Sequence, residues 1–161
     1  MPKKISIEQA LVSTGSRYPA PYNVPCMARI RRYLGDAAGL TQFGVNLTRL
    51  EPGAWSSQRH WHTGEDEFVF IVSGEVVLVT DEGEEILRAG DCAGFKAGEE
   101  NGHHLQNRSQ QDAVVLEVGT RAPERDDCFY PGIDLMLPRG RPRPGFAHAD
   151  GTPYAESQPL K

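Results

Sequence analysis

The chain has no run of roughly 18 apolar residues, so no segment is expected to cross a membrane as a helix. Its N-terminus carries Lys3 and Lys4 but no apolar stretch of signal-peptide length, which gives the cytosol as the expected location. Cysteine is scarce. Cys26, Cys92 and Cys128 are scattered, show no CxxC spacing and read as free thiols of a reducing compartment. An excess of positive charge is also missing: 17 Lys and Arg stand against 22 Asp and Glu, for a net charge of −5. A surface for duplex nucleic acid, which needs clustered cations, is therefore not expected. The first 40 residues are too short and too Pro-rich for a helix-turn-helix domain.

What the chain does have is turn chemistry. Its 161 residues suit one domain of ordinary size, and 17 Gly and 12 Pro are spread through it. Short β-like runs recur between those turns, and no long helical period appears. The runs are Met27–Leu34, Thr41–Leu50, Gln58–His62, Glu67–Val72, Glu75–Thr80, Glu85–Arg88, Cys92–Lys96, His103–Asn107 and Ala113–Gly119. Gly35–Gly39 reads as a loop and Phe129–Leu137 as one further strand. Strands at this spacing predict an all-β sandwich or barrel.

The segment Phe68–Val72 is apolar on both faces, so a second layer or a second subunit is expected to cover the face turned away from the core. The inward apolar set is expected to include Phe43, Val45, Phe68 or Val69, Phe70, Leu78, Phe95, Leu105 and Leu116. Residues 1–25 read as an N-terminal arm, with a helical turn near Ile5–Val12 capped by Ser6 and a Pro-rich end that excludes a helix interior. Residues 26–137 read as the barrel. Residues 138–161 read as a stiff tail whose Arg139, Arg141 and Arg143 are either solvated or paired with acidic or anionic groups.

Four of the five histidines fall in two short segments. His60 and His62 stand two apart in a predicted strand, so both imidazoles point to one face. Glu67 opens the next strand after a short loop, and His103 opens a distant one. Three imidazoles and a carboxylate suit Zn, Fe, Mn or Ni as a single divalent ion. Trp55 and Trp61 lie near the histidine strand. Arg29, Arg49, Arg59 and Lys96 are candidate cations for an anionic substrate, and Glu65 and Asp66 are candidate acid–base groups.

Gly53, His60, His62, Glu67 and Gly74 resemble the first motif of the cupins, and Gly90, Gly98, His103 and Asn107 resemble the second. The segment between Gly98 and His103 is two residues longer than usual, and Lys96 stands where the motif has Pro. His103 fits the spacing to Asn107, which turns His104 outward; the longer loop keeps His104 open as the alternative. The resemblance covers roughly residues 40–119. It implies a double-stranded β-helix, the cupin jelly-roll barrel, with extended N- and C-terminal arms and commonly a homodimer. It also implies His60, His62, Glu67 and His103 as metal ligands. Similar small bacterial cupins include some labelled sugar-phosphate isomerases. The expected function is metal-dependent chemistry on a small molecule, of the isomerase or lyase type or of the dioxygenase type. The alternative is a cupin that binds or senses a small molecule without turnover.

Overall fold

The computed structural model of the chain describes residues 4–140 and 145–155. Strands β1 (Val12–Thr14), β2 (Arg29–Tyr33), β3 (Phe43–Leu50), β10 (Ala113–Thr120), β5 (Glu67–Ser73) and β8 (Cys92–Phe95) lie side by side in that order as one antiparallel sheet. A second sheet is built from β7 (Gly83–Arg88), β6 (Glu75–Thr80) and β9 (His103–Gln106). A third joins β12 (Met136–Leu137), β11 (Cys128–Phe129) and β4 (Trp61–His62). This is the β-sandwich architecture expected of a jelly-roll. Among the described residues, no helix is long and apolar enough to cross a membrane.

Alternation along the strands fills the space between the sheets with Leu50, Val69, Ile71, Val76, Leu78, Leu87, Leu105 and Val115, all buried. The strands are joined by tight turns. At the β5–β6 turn Gly74 adopts φ +78°, and a Cβ there would lie 2.6 Å from the Asp112 carbonyl oxygen. Only glycine satisfies both the backbone and the space.

Part of the inward set is corrected. Val69, Leu78 and Leu105 do face the core, but Phe43, Phe68 and Phe70 are exposed. The register puts Leu116 opposite Phe70 and Leu47, and Val118 opposite Phe68 and Val45, all on the outer face. The physical reason is phase. On β3 and β10 the inner positions include the polar Asn46, Thr48 and Glu117 beside Leu50, Ala113 and Val115, whereas Val45, Leu47, Leu116 and Val118 lie outside.

Several other segments differ from expectation. Leu34–Ala37 forms a four-residue helix, α1, where the end of a strand and a loop were expected. A 3-10 turn at Ile7–Gln9 follows Ser6, which caps no backbone group and donates to Glu8 Oε2 instead (2.8 Å). Gln58–His62 is a strand only at β4, although His60 forms an isolated bridge with His103. Phe129–Leu137 contributes two short strands rather than one, because Pro131 and Gly132 turn the chain between them.

The leader is stitched to the barrel rather than loosely apposed. Ser13 and Thr14 pair with Arg31 and Ile30, and the buried Arg29 guanidinium donates to the carbonyls of Gly15 and Ser56. A satellite core of Cys128, Tyr130, Leu135 and Leu137 packs with Tyr18, Tyr22 and Phe146, so residues of the N-terminal arm and of the C-terminal segment meet beside β4. Arg139 bonds Asp127 of its own chain, while Arg141 and Arg143 lie outside the described residues.

Candidate metal centre

The β4–β11 pairing and the His60–His103 bridge bring two distant parts of the chain to one end of the barrel. His60 Nε2, His62 Nε2 and His103 Nε2 all face Glu67 Oε2, at 3.3, 3.6 and 2.8 Å. Ligand atoms of His60, Glu67 and His103 lie within 4.8 Å of one another, a group able to hold a metal ion. Three of the four expected residues form that group, and His62 stands at its edge, 3.6 Å from Glu67 Oε2. His104 is not part of it. Its Nδ1 bonds the Ser57 carbonyl (2.9 Å), its Nε2 meets Gln106 (3.0 Å), and Trp55 packs edge-on against its ring. It was expected to face outward, yet it is buried, because Trp55–Ser57 folds across β9 and covers it.

The opposite nitrogens explain the geometry. Each Nδ1 meets an acceptor: Gln58 O for His60 (2.8 Å), Asp126 Oδ2 for His62 (2.7 Å) and Asn101 O for His103 (3.3 Å). A proton held on Nδ1 leaves the Nε2 lone pair free for an electrophile, the arrangement found around metal-bound histidines. The donor set and its outer partners thus fit a divalent ion. The lengthened loop before His103 supplies one of those partners, Asn101, whose side chain also accepts from the Asp81 amide (3.0 Å). Phe95 stacks flat on the His103 ring at 3.6 Å and restrains it further.

The electrostatics match a site built for a cation. Burial pushes the Glu67 carboxyl up, but His60, His103 and His62 outweigh it and hold it well below the usual carboxylate range. Burial pushes His62 down, yet the Cys128 sulfur, Asp126 and Glu67 outweigh it and lift His62 to about 11, so an ion bound at its Nε2 must displace a proton. Burial lowers His103 despite its bond to Glu67, and pushes His104 down to about 4 against the pull of the Ser57 carbonyl. Two further groups of suitable side chains share His62: one with His60 and Cys128, the other with Glu65 and Asp126.

Cavities flank the centre. The larger, about 430 Å³, is lined by His60, His62, Glu67 and His103, and by Arg31, Tyr33, Asn46 and Glu117 from the sheet's inner face. The smaller, about 270 Å³, reaches His62, Glu67 and His103 past Trp61, Lys96 and Glu99. Of the expected cations, Arg29 is committed to backbone carbonyls, Arg49 lies on the outer face with Asp112, and Arg59 pairs with Asp81. Lys96 borders the smaller cavity. Glu65 lines both cavities and accepts from the Ala122 amide, whereas Asp66 holds the Ala97 amide.

The cupin domain pattern matches residues 46–119. A crystal structure from Silicibacter pomeroyi DSS-3, described as a sugar phosphate isomerase from a cupin superfamily, is 42% identical. It covers 97% of this chain and 99% of its own, with a TM-score of 0.85. This chain is a cupin. A structure from Acidithiobacillus ferrooxidans ATCC 23270, described as a putative sugar phosphate isomerase, is 31% identical over 67% of this cupin and 68% of that chain, at a TM-score of 0.64. The polyketide cyclase RemF from Streptomyces resistomycificus shares the fold alone, at 20% identity over 74% of this chain and 80% of that one, with a TM-score of 0.61. A comparison with curated proteins found no match.

Sequence reasoning missed Asp126, Asn101, Arg31, Asn46 and Glu117. Alternation offers a signal for some of them. Arg29, Arg31 and Tyr33 share one face of β2, and a polar stripe in an otherwise apolar sheet marks a lined cavity. For Asp126 no local signal exists, since its partner is 64 residues away.

Proposed function

We propose that this cupin holds one divalent metal ion through His60, His62, Glu67 and His103 and acts as a metal-dependent isomerase on a small polyhydroxylated substrate of the sugar-phosphate class. The convergence of three imidazole Nε2 atoms on Glu67 Oε2, with every Nδ1 tied to an acceptor, carries this reading. The similarity to two proteins described as sugar phosphate isomerases supports the substrate class. A bound ion would polarise a substrate carbonyl or hydroxyl.

The chain's own groups supply the rest. Asn46 stands in the cavity wall, and its Oδ1 is buried with no partner among the described residues. Glu117, held by Thr48 (2.9 Å) and Arg31 (2.9 Å), stands on the same inner face and is the carboxylate we assign to proton transfer between adjacent carbons. Arg17 lines the same cavity and offers a cationic group for an anionic end of the substrate, whereas Arg121 is paired with Asp36. Tyr18 and Phe95 give the cavity wall an aromatic part.

The exposed Phe43, Phe68, Phe70 and Val72 on the outer face support a homodimer closed over that face. The three free cysteines support a reducing compartment. Purified protein loaded with Mn, Zn, Ni or Fe and assayed with aldose and ketose phosphates tests the activity. Interconversion lost in Glu117→Gln with metal retained is the expected result. Ligand-dependent stabilisation without product in every assay would replace this reading with a binding cupin, and oxygen uptake with a dioxygenase.

A further inference from the structure

We propose that Asp126 is a positioning residue of the metal centre, a carboxylate from outside the matched cupin core that fixes His62 and thereby sets the site's affinity. This rests on the metal site proposed above. The cupin pattern ends at residue 119, so Asp126 belongs to the C-terminal segment that follows it.

Asp126 is 1% exposed, and a buried carboxylate is costly unless its oxygens are bonded. Here each oxygen has a stated partner. Oδ2 accepts from His62 Nδ1 at 2.7 Å, and Oδ1 accepts from the Gly64 amide at 3.0 Å. The other two histidines of the centre lean on carbonyl oxygens, at 2.8 and 3.3 Å, and His60 also on the Ser57 hydroxyl. Among the three, His62 alone has a carboxylate behind it. Such a partner keeps the proton on Nδ1, holds the ring plane and strengthens Nε2 as a donor.

The surrounding chain is shaped to deliver this carboxylate. Thr63 and Asp127 exchange two bonds: the Thr63 amide donates to Asp127 O (3.0 Å), and the Asp127 amide donates to Thr63 Oγ1 (2.8 Å). Cys128 then pairs with His62 in the β11–β4 ladder. Between these contacts, a Cβ on Gly64 would stand 2.7 Å from the Arg125 carbonyl oxygen. Gly64 therefore permits an approach that any side chain would prevent, and that approach seats Asp126 behind His62.

The test measures Zn²⁺ affinity by chelator competition in the full chain, comparing Asp126→Ala, His62→Ala and the double variant with the unmodified protein. Asp126→Ala is expected to weaken binding about 10- to 100-fold. In the His62→Ala background the same change is expected to alter affinity less than about threefold, because Asp126 acts through His62. Thr63→Val, which cuts the neighbouring clasp but spares the carboxylate, is expected to stay within about threefold of the unmodified protein. If Asp126→Ala fails to fold, Asp126→Asn carries the test, with a severalfold loss expected. Unchanged affinity, or an equal loss with and without His62, would overturn the positioning role. Zn²⁺ binding in none of the proteins, the unmodified one included, would overturn the metal site itself and this inference with it.

Discussion

The two faces of the six-stranded sheet carry opposite chemistry on the same strands. Inside, Arg31, Thr48 and Glu117 bond one another, and Arg31, Tyr33, Asn46 and Glu117 line the larger cavity. Outside, Phe43, Phe68, Phe70 and Val72 stand open. Two ion pairs make the contrast concrete. Arg31–Glu117 spans 2.9 Å with side chains 22% and 17% exposed, and Arg49–Asp112 spans 2.8 Å with side chains 46% and 41% exposed. Equal lengths hide unequal energetics, because the inner pair has given up water and the outer pair has not. Polarity sits in the cavity wall, and apolar side chains sit on the face that the described residues leave uncovered.

The largest effect belongs to the inner site. His60→Ala combined with His103→Ala is expected to weaken metal binding more than about 100-fold, since outer partners of such ligands alone are worth 10- to 100-fold. Chelator competition measures it. The outer face answers next: Phe68→Ser with Phe70→Ser is expected to shift a dimer to monomer in sedimentation, with metal affinity unchanged. A monomeric unmodified protein would break the comparison on that side.

The ion pairs sharpen it. Glu117→Ala strands the Arg31 charge in the cavity wall and is expected to cost about 3 kcal/mol in denaturant unfolding. A pH effect of similar or smaller size should come from His104, whose folded value near 4 lies below its ordinary 6.5. The unfolded chain then binds the extra proton between those values. Stability is therefore expected to fall as pH drops from about 6.5 to about 4, by up to about 3 kcal/mol, and His104→Gln should flatten that slope. The smallest effect is Arg49→Ala, within about 1 kcal/mol, because both partners are solvated.

The same contrast explains what could be read in advance. His60, His62, Glu67 and His103 were legible because strand alternation fixes which side chains share a face and because two spaced motifs carry them. The positions of most strands along the chain were legible from turn residues, but not their order in the sheets or β1 in the N-terminal arm. Nor was the phase of β3, β5 and β10. Hydrophobicity assigns the greasier side to the core, and here Phe68 and Phe70 lie on the outer side while Asn46 and Glu117 lie inside. His104 misled for a related reason. Alternation turned it away from the centre correctly, but only the tertiary fold shows Trp55–Ser57 covering it. Asp126 depends wholly on the clasp between two loops far apart in sequence.

The most direct test of the account is the metal content of freshly purified, untagged protein, measured by elemental analysis before and after reconstitution, beside the His60→Ala/His103→Ala variant. About one equivalent of a divalent transition metal per chain is expected in the unmodified protein and almost none in the variant. Less than about a tenth of an equivalent in the unmodified protein after reconstitution, or equal loading of both, would contradict the proposed metal centre.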